Sequence, residues 1–596
     1  MKEKPLVILT ALVLALLLIS CGGEKYDKNI KPNILLITID TLRPDHLGAY
    51  GYHRETSPFI DSLAHKGLMF KHAITPIPLT AGSHASILTS LHPLTHDLTM
   101  NGSKLNDKVQ TMAEVLEKNG YYTIGAVAVG LLTRKKNFSQ GFVSFSDHWA
   151  KDPALTRHLP TPERTAQSVN ESVCKQLDDY LANPAHNTKP LFIWVHYFDP
   201  HHPYYNKDYI KFKTKPPKGL PKGVNKYDKE IRYTDDCLKE LYSYLEQKGL
   251  TRQLVTCITA DHGEQFGEHG YTYGHADFYS ETTVVPLIFH GYGIPGKKAI
   301  DTYVSTMDIG ITLLGMANLK FAAPTDGIDL LNHDNQTPQT YPYPERKFLI
   351  IGNPSYARSL QLLGNPFSYI LNFDHHYKYW YISGENDVFG DESLFKPIAE
   401  KEIKRKGNTM LVSLPYSQAR GLNYAVLCAD FKENKGLVVN IKVLPYLSTG
   451  NHKISPTLKS LYIIYPVTVL DRLKVTLKAK PGTQLDNFRC GFIPARQFPP
   501  NIKVEHKIKN RIFNDLLTLR KEKPQDEWFD LAKDFKMENN LVEEEKLKPS
   551  IINAKKIIYA VFNYYYQQKN KLLQGTNQET QLSKEDKQML KTLGYL

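Results

Sequence analysis

Two short apolar runs in this chain end in acids. NILLITID closes on Asp40, and LVTCITADH closes on Asp261 followed by His262. Runs of this length, β-branched and without polar alternation, are what strands buried on both faces of a parallel sheet look like. Ligands of open α/β sheets gather beyond the carboxyl ends of the strands, so the two runs predict an edge where these acids converge. Between them lies PLTAGSHASILTSLHP, in which Thr80 offers a hydroxyl at the head of a helical stretch.

A divalent cation needs two or three convergent oxygen or imidazole donors, and Asp40, Asp261 and His262 supply that set. In ITADHGEQFGEHG the glycines let the backbone turn tightly beside the Asp-His pair. The plainer alternative is a helix-capping Asp beside a surface His, and for Thr80 an ordinary N-cap.

At 596 residues the chain exceeds one ordinary core, and its 41% hydrophobic content argues against global disorder. From residue 33 to about 330, apolar runs alternate with helical periodicity, as α/β folds do. Strands are expected at 34–39, 123–129, 191–198, 254–259 and 284–289. Ile231, Thr234, Leu238, Leu241 and Leu245 mark one face of a helix. The Lys- and Pro-rich stretch 207–229 reads as a loop, whose lysines either steer an anion or are simply solvated. From about 408 to 502 short alternating strands suggest an all-β accessory domain of sandwich type. Residues 549–573 read as an amphipathic helix, and Ser583 with Asp586 as a cap before a last short helix. The expected organisation is an α/β domain at 33–400, a β-rich domain at 405–505 and a helical tail at 506–596 that completes the body.

Lys2 and Lys4 precede LVILTALVLALLLIS, an apolar stretch of signal-peptide length that ends just before Cys21. Residues 1–20 are expected to be a removable signal, the alternative being an uncleaved anchor; no later run reaches spanning length. Cys174, Cys237, Cys257, Cys428 and Cys490 are odd in number and widely spaced, so buried free thiols are expected. The formal charge of +13 fits an anionic substrate or an anionic surface. Scattered lysines, with no zinc-finger or RNA-binding motif, argue against nucleic acid.

Taken together, NILLITIDTLRPDHLGAYGY, LTAGSHASILTSLHP, ITADHGEQFGEHG followed by VVPLIF, FDPHHPY, WFDLAKDF and the terminal LGYL resemble, in order and spacing, the sulfatase branch of the alkaline phosphatase superfamily. The resemblance implies an α/β fold with a mixed sheet flanked by helices, and a hydrolase of phosphate or sulfate esters. It places Asp40, Asp261 and His262 on one divalent metal with Thr80 as nucleophile and further ligand. His201 and His275 fall where relatives set His or Lys against the anionic group, either of them able to protonate a leaving oxygen. His84 stands where sulfatases carry an arginine, and joins Asn101, His201 and His275 as a substrate-binding candidate. Asp199 and His202 are candidates for a second metal.

Two departures bear on the chemistry. Sulfatases carry a Cys or Ser that becomes formylglycine, whereas Thr80 cannot; and Asp40-Thr41 stands where many place two aspartates on calcium. The site is therefore expected to hold zinc or manganese, with calcium as the alternative, and to favour phosphomonoesters or phosphodiesters. A phosphoglycerol- or phosphoethanolamine-type transferase, a true sulfuric ester hydrolase and a non-catalytic binding protein are the alternatives. Leu18-Ile19-Ser20-Cys21 resembles a bacterial lipobox, which implies lipidation of Cys21 and a membrane-tethered, exported lipoprotein, periplasmic or at the cell surface. Its substrate would be an anionic ester of a glycan, a lipid headgroup or a small molecule.

Overall fold

The computed structural model describes residues 27–331, apart from 28, 100, 148–162, 203, 205–208, 216–222, 271–273 and 276–277, and, with further interruptions, 348–574. The signal segment with Cys21, and the expected helix after Ser583, lie outside the described residues. Contacts divide the chain into two compact units, one holding residues up to 266 with 274–347, the other chiefly 348–570.

The first unit is built on one eight-stranded sheet. Its strands are β1 (Asn33–Ile39), β2 (Leu68–Ile74), β3 (Tyr122–Val127), β4 (Ser144–Ser146), β5 (Leu191–Tyr197), β6 (Leu254–Ala260), β7 (Val284–Gly291) and β8 (Lys298–Ser305). They lie in the order β4-β3-β5-β1-β6-β7-β2-β8. β1 is parallel to both neighbours, with Thr38 opposite His196 on β5 and Thr259 on β6. β7 runs antiparallel to β6 and β2, which makes the sheet mixed.

Ile34, Leu35, Leu36 and Ile37 are all fully buried, and side chains of this kind contribute about 1.5–3 kcal/mol each on burial. With apolar groups on both faces, hydrophobicity alone does not choose a register; polar pins do. Asn33 Oδ1 accepts from the Leu191 N–H at 2.9 Å, and its Nδ2 donates to the Leu250 carbonyl at 3.3 Å. Moving β1 by one residue would break both bonds.

The helices are α1 (Pro58–Lys66), α2 (Thr80–Thr89), α3 (Met112–Lys118), α4 (Ala166–Ala182), α5 (Val224–Gln247) and α6 (Asp308–Met316). α3 starts on a reciprocal capping box between Thr111 and Glu114. α5 buries the expected face, Ile231, Thr234, Leu238, Leu241 and Leu245. It begins at Val224, so the loop expected up to 229 ends earlier: Val224, Tyr227 and Asp228 are buried and draw the first turns into the helix. Sequence patterning also missed β2, β4 and β8. β8 lies at the sheet edge with two side chains exposed and four partly exposed, and the exposed Lys71–Asp301 ion pair interrupts the apolar texture of β2 and β8.

The second unit is β-rich. It contains a four-stranded antiparallel sheet starting at Phe348–Asn353 and two six-stranded sheets, one centred on Asn423–Glu433 and Ser460–Val467, the other on Leu437–Leu444 and Arg472–Ala479. A last helix, α7 (Lys548–Gln574), buries Ala554, Ile557, Ile558, Val561 and Tyr565 at helical spacing. The five cysteines named above are free, four of them buried and Cys174 half-buried.

Candidate active site

β1 and β6 are adjacent and parallel, so Asp40 and Asp261 leave the sheet side by side. The chain then turns sharply at Thr41, whose φ of 55° is the left-handed region, costly for a β-branched residue. Two bonds hold the turn: the Thr41 N–H donates to Asp261 Oδ1 at 3.2 Å, and its carbonyl accepts from the Tyr227 hydroxyl at 2.7 Å. At the other strand end, the His262 N–H donates to Asp261 Oδ1 at 2.9 Å. Gly263 follows because the Glu281 carbonyl would sit 2.0 Å from any Cβ there.

Donor atoms of Asp40, Asp261 and His262 lie within 4.8 Å of one another, all three fully buried. His262 Nε2 stands 3.5 Å from Asp261 Oδ2 and 3.9 Å from Asp40 Oδ1. Its Nδ1 lies 3.0 Å from the Gly263 carbonyl, an obligate acceptor, so Nδ1 carries the hydrogen and Nε2 is the bare lone pair. Both Asp40 oxygens, Asp261 Oδ2 and Thr41 Oγ1 are buried without a hydrogen-bond partner. The three carboxylate oxygens among them, buried acceptors that receive no hydrogen bond, fit a cation, and the oxygen and imidazole ligand atoms suit a divalent one. Without it, burial pushes Asp40 well above the carboxylate range, and the Asp261 charge pushes it further. Burial raises Asp261 as well.

Thr80 opens α2 as its first helical residue, after Leu79, whose side chain makes no cap bond. Thr80 Oγ1 lies 3.4 Å from His262 Nε2, at the edge of the acid cluster. Asn101 Oδ1 accepts from the Ala81 N–H at 3.0 Å and so occupies one of the free donors of the first turn. His84 points inward from α2 at full burial: Nδ1 bonds the Thr80 carbonyl at 2.7 Å and Nε2 meets Thr38 Oγ1 at 3.0 Å.

The ring of His275 stacks on that of His262 with centroids 4.1 Å apart, and His201 approaches His275 edge-on at 5.9 Å. His275 Nδ1 lies 3.2 Å from the Pro78 carbonyl, and His201 Nδ1 lies 2.5 Å from the His202 carbonyl. Each ring therefore keeps its hydrogen on Nδ1 and turns a bare Nε2 elsewhere. Burial lowers His201, His262 and His275 to about 3, so all three are neutral proton acceptors at pH 7. Of the two second-metal candidates, Asp199 accepts the Ala166 N–H at 2.8 Å at the head of α4 and His202 is exposed; the cluster of potential metal ligands includes neither.

Sequence reasoning missed two groups near the cluster. Glu264 is buried, accepts from the Tyr204 hydroxyl at 2.9 Å, and is pushed up to about 8 by burial. His196, next to last in β5, sits 3.6 Å from Asp40 Oδ2 through Nε2. Its signal was a lone polar residue inside LFIWVHYF, opposite Thr38.

Residues 32–319 match the family model described as Sulfatase. The chain is similar to an ulvan-active sulfatase of Formosa agariphila, 25% identical over 54% of this chain and 69% of that protein. It is also similar to human iduronate 2-sulfatase, at 26% identity over 48% of this chain and 64% of that protein. Among solved structures, a phosphonate monoester hydrolase of Agrobacterium radiobacter aligns with a TM-score of 0.45 and 17% identity, covering 57% of this chain and 87% of that one.

Proposed function

We propose, for a chain whose residues 32–319 match the family model described as Sulfatase, a metal-dependent ester hydrolysis with Thr80 as nucleophile. The observation that carries this reading is Thr80 Oγ1 at the N-terminus of α2, 3.4 Å from His262, where three of the four carboxylate oxygens of Asp40 and Asp261 are buried without a hydrogen-bond partner. Asp40, Asp261 and His262 would hold a divalent cation, zinc or manganese before calcium, which when bound supplies Lewis acidity at the ester oxygen and at Thr80.

The protein's own groups do the rest. Thr80 Oγ attacks the phosphorus or sulfur, and the bond to the leaving oxygen breaks. Because His275 and His201 rest as neutral acceptors, the proton lost by Thr80 goes to Nε2 of one of them and from there to the leaving oxygen. Water then gives its proton to the same imidazole and attacks the phosphorus or sulfur, the bond to Thr80 Oγ breaks, and that proton returns to Thr80 Oγ as the acid leaves. His84 and Asn101 hold the first turn of α2 in place, so the remaining N–H groups of that turn face the anion.

Phosphomonoesters and phosphodiesters are the favoured substrates, because threonine cannot supply the formylglycine of sulfatases. A sulfuric ester is the second reading, favoured by relatives named as ulvan-active and iduronate 2-sulfatases. Turnover of aryl phosphate, bis-aryl phosphate, phosphonate monoester and aryl sulfate, compared for wild type, Thr80→Ser and Thr80→Ala, decides between them. Thr80→Ala is expected to lose at least 10³-fold while still binding metal; undiminished turnover would remove Thr80 from the mechanism. Faster sulfate than phosphate turnover would select the second reading. Export and tethering through Cys21 belong to the same proposal, supported by residues 2–21, and Cys21→Ser should release the protein from the membrane fraction.

A further inference from the structure

Hydrogen bonds around Thr38 fix where the protons of three neighbouring rings sit. His84 Nδ1 faces the Thr80 carbonyl, which can only accept, so Nδ1 carries the ring hydrogen. His84 Nε2 is then an acceptor and takes the single hydroxyl hydrogen of Thr38, 3.0 Å away. Trp194 Nε1 can only donate, and it does so to Thr38 Oγ1 at 3.1 Å. What remains on Thr38 Oγ1 for His196 Nδ1, also at 3.1 Å, is one lone pair and no hydrogen. His196 must therefore hold its hydrogen on Nδ1, leaving Nε2 bare.

That bare nitrogen is fully buried, has no hydrogen-bond partner and faces Asp40 Oδ2, which also has none, at 3.6 Å. A shared proton would draw the pair to about 2.7–3.2 Å, so a hydrogen bond does not account for it. Two donors on one tetrahedral ion with bonds of about 2.1 Å stand about 3.4 Å apart, close to what is seen here and to the 3.5 Å between His262 and Asp261. Asp40 thus meets an imidazole lone pair on each side, His262 at Oδ1 and His196 at Oδ2, His196 itself standing outside the donor set gathered within 4.8 Å.

We propose that His196 is a further metal ligand, binding through Nε2 a divalent cation that it shares with Asp40 Oδ2, and that Thr38 and Trp194 are the positioning residues that aim its lone pair. This rests on the metal site of the proposed function. The test loads metal-free protein with Mn2+ and counts directly bound imidazole nitrogens by pulsed electron paramagnetic resonance, alongside Mn2+ affinity. Wild type should show two nitrogens and His196→Gln one. Thr38→Val, which removes the acceptor holding Nδ1, should weaken Mn2+ binding 10- to 100-fold, while Thr38→Ser restores it. One nitrogen in wild type, lost in His262→Gln and kept in His196→Gln, would overturn the assignment and leave the Asp40–Asp261–His262 site standing. Thr38→Val with wild-type affinity and spectrum would overturn the positioning role, whether or not His196→Gln folds. Wild type that binds no Mn2+ would overturn the metal site itself, and with it this ligand.

Discussion

Replacing Asp40 by Asn should change the stability of the α/β unit in opposite directions with and without metal. Three carboxylate oxygens in the cluster, two of Asp40 and one of Asp261, are buried without a donor. Each such group costs about 1–3 kcal/mol, more when charged. Without metal, Asp40→Asn replaces one partnerless acceptor of that cluster by an amide that can donate to its neighbours, and should stabilise by ~1–3 kcal/mol. With metal at about 1,000 times its Kd, wild type gains ~4 kcal/mol, and the variant, having lost a ligand, should forgo most of that gain. Two units make global unfolding a poor reporter, so the measurement is hydrogen-exchange protection of β1 and β6 peptides, after chelation and again with added Mn2+. Equal destabilisation in both conditions would refute the reasoning, because it would mean that Asp40 already has a partner and the cluster needs no cation.

Other perturbations follow from buried groups away from the metal. His96 accepts the Leu98 N–H on Nδ1 and bonds Ser86 Oγ at 3.0 Å through Nε2, and burial lowers it to about 3. Its neutral form is the folded form, so its contribution is complete above pH 6.5 and lost as pH falls towards 3, at most ~5 kcal/mol in all. His96→Asn should flatten acid unfolding across that window, as followed by circular dichroism. Asp228 is fully buried and accepts from Arg54, from the Tyr52 hydroxyl at 2.8 Å and from His46 Nδ1 at 2.7 Å. Asp228→Ala strands a buried guanidinium and should cost ~3–5 kcal/mol, read as lost hydrogen-exchange protection of α5 peptides. Gly263→Ala forces the Glu281 carbonyl away from the Asp261–His262 turn, so metal affinity by chelator competition should fall well before the unit unfolds.

Much of the site was legible because strand ends announce themselves. The β-branched runs before Asp40 and Asp261 could be placed as neighbouring buried strands, and Thr80 could be placed at the head of a helix, from local pattern alone. The fold was less legible at its edges. β2 and β8 share an ion pair and partial exposure, which dilute the apolar signal that marks a central strand. His196 was hidden for the opposite reason, since one polar residue in a fully buried strand reads as tolerated, and only the pairing with Thr38 across β1 reveals its orientation. Asp199 shows a further limit: an acid beside two histidines looks like a ligand in one dimension, but the head of α4 claims its carboxylate.

The parallel pairing of β1 with β6 also decides when the site can exist during folding. Thr41 and Asp261 are separated by 220 positions, and Thr80 and His262 by 182. No short segment holds two ligands from different strands, so an unfolded chain offers a cation only the adjacent Asp261 and His262. Closing loops of this length comes late and slowly, because their entropy is lost before the contacts form. A cation bound by the proposed set would therefore not template this chain as zinc does a zinc finger; it would be captured by a sheet already assembled.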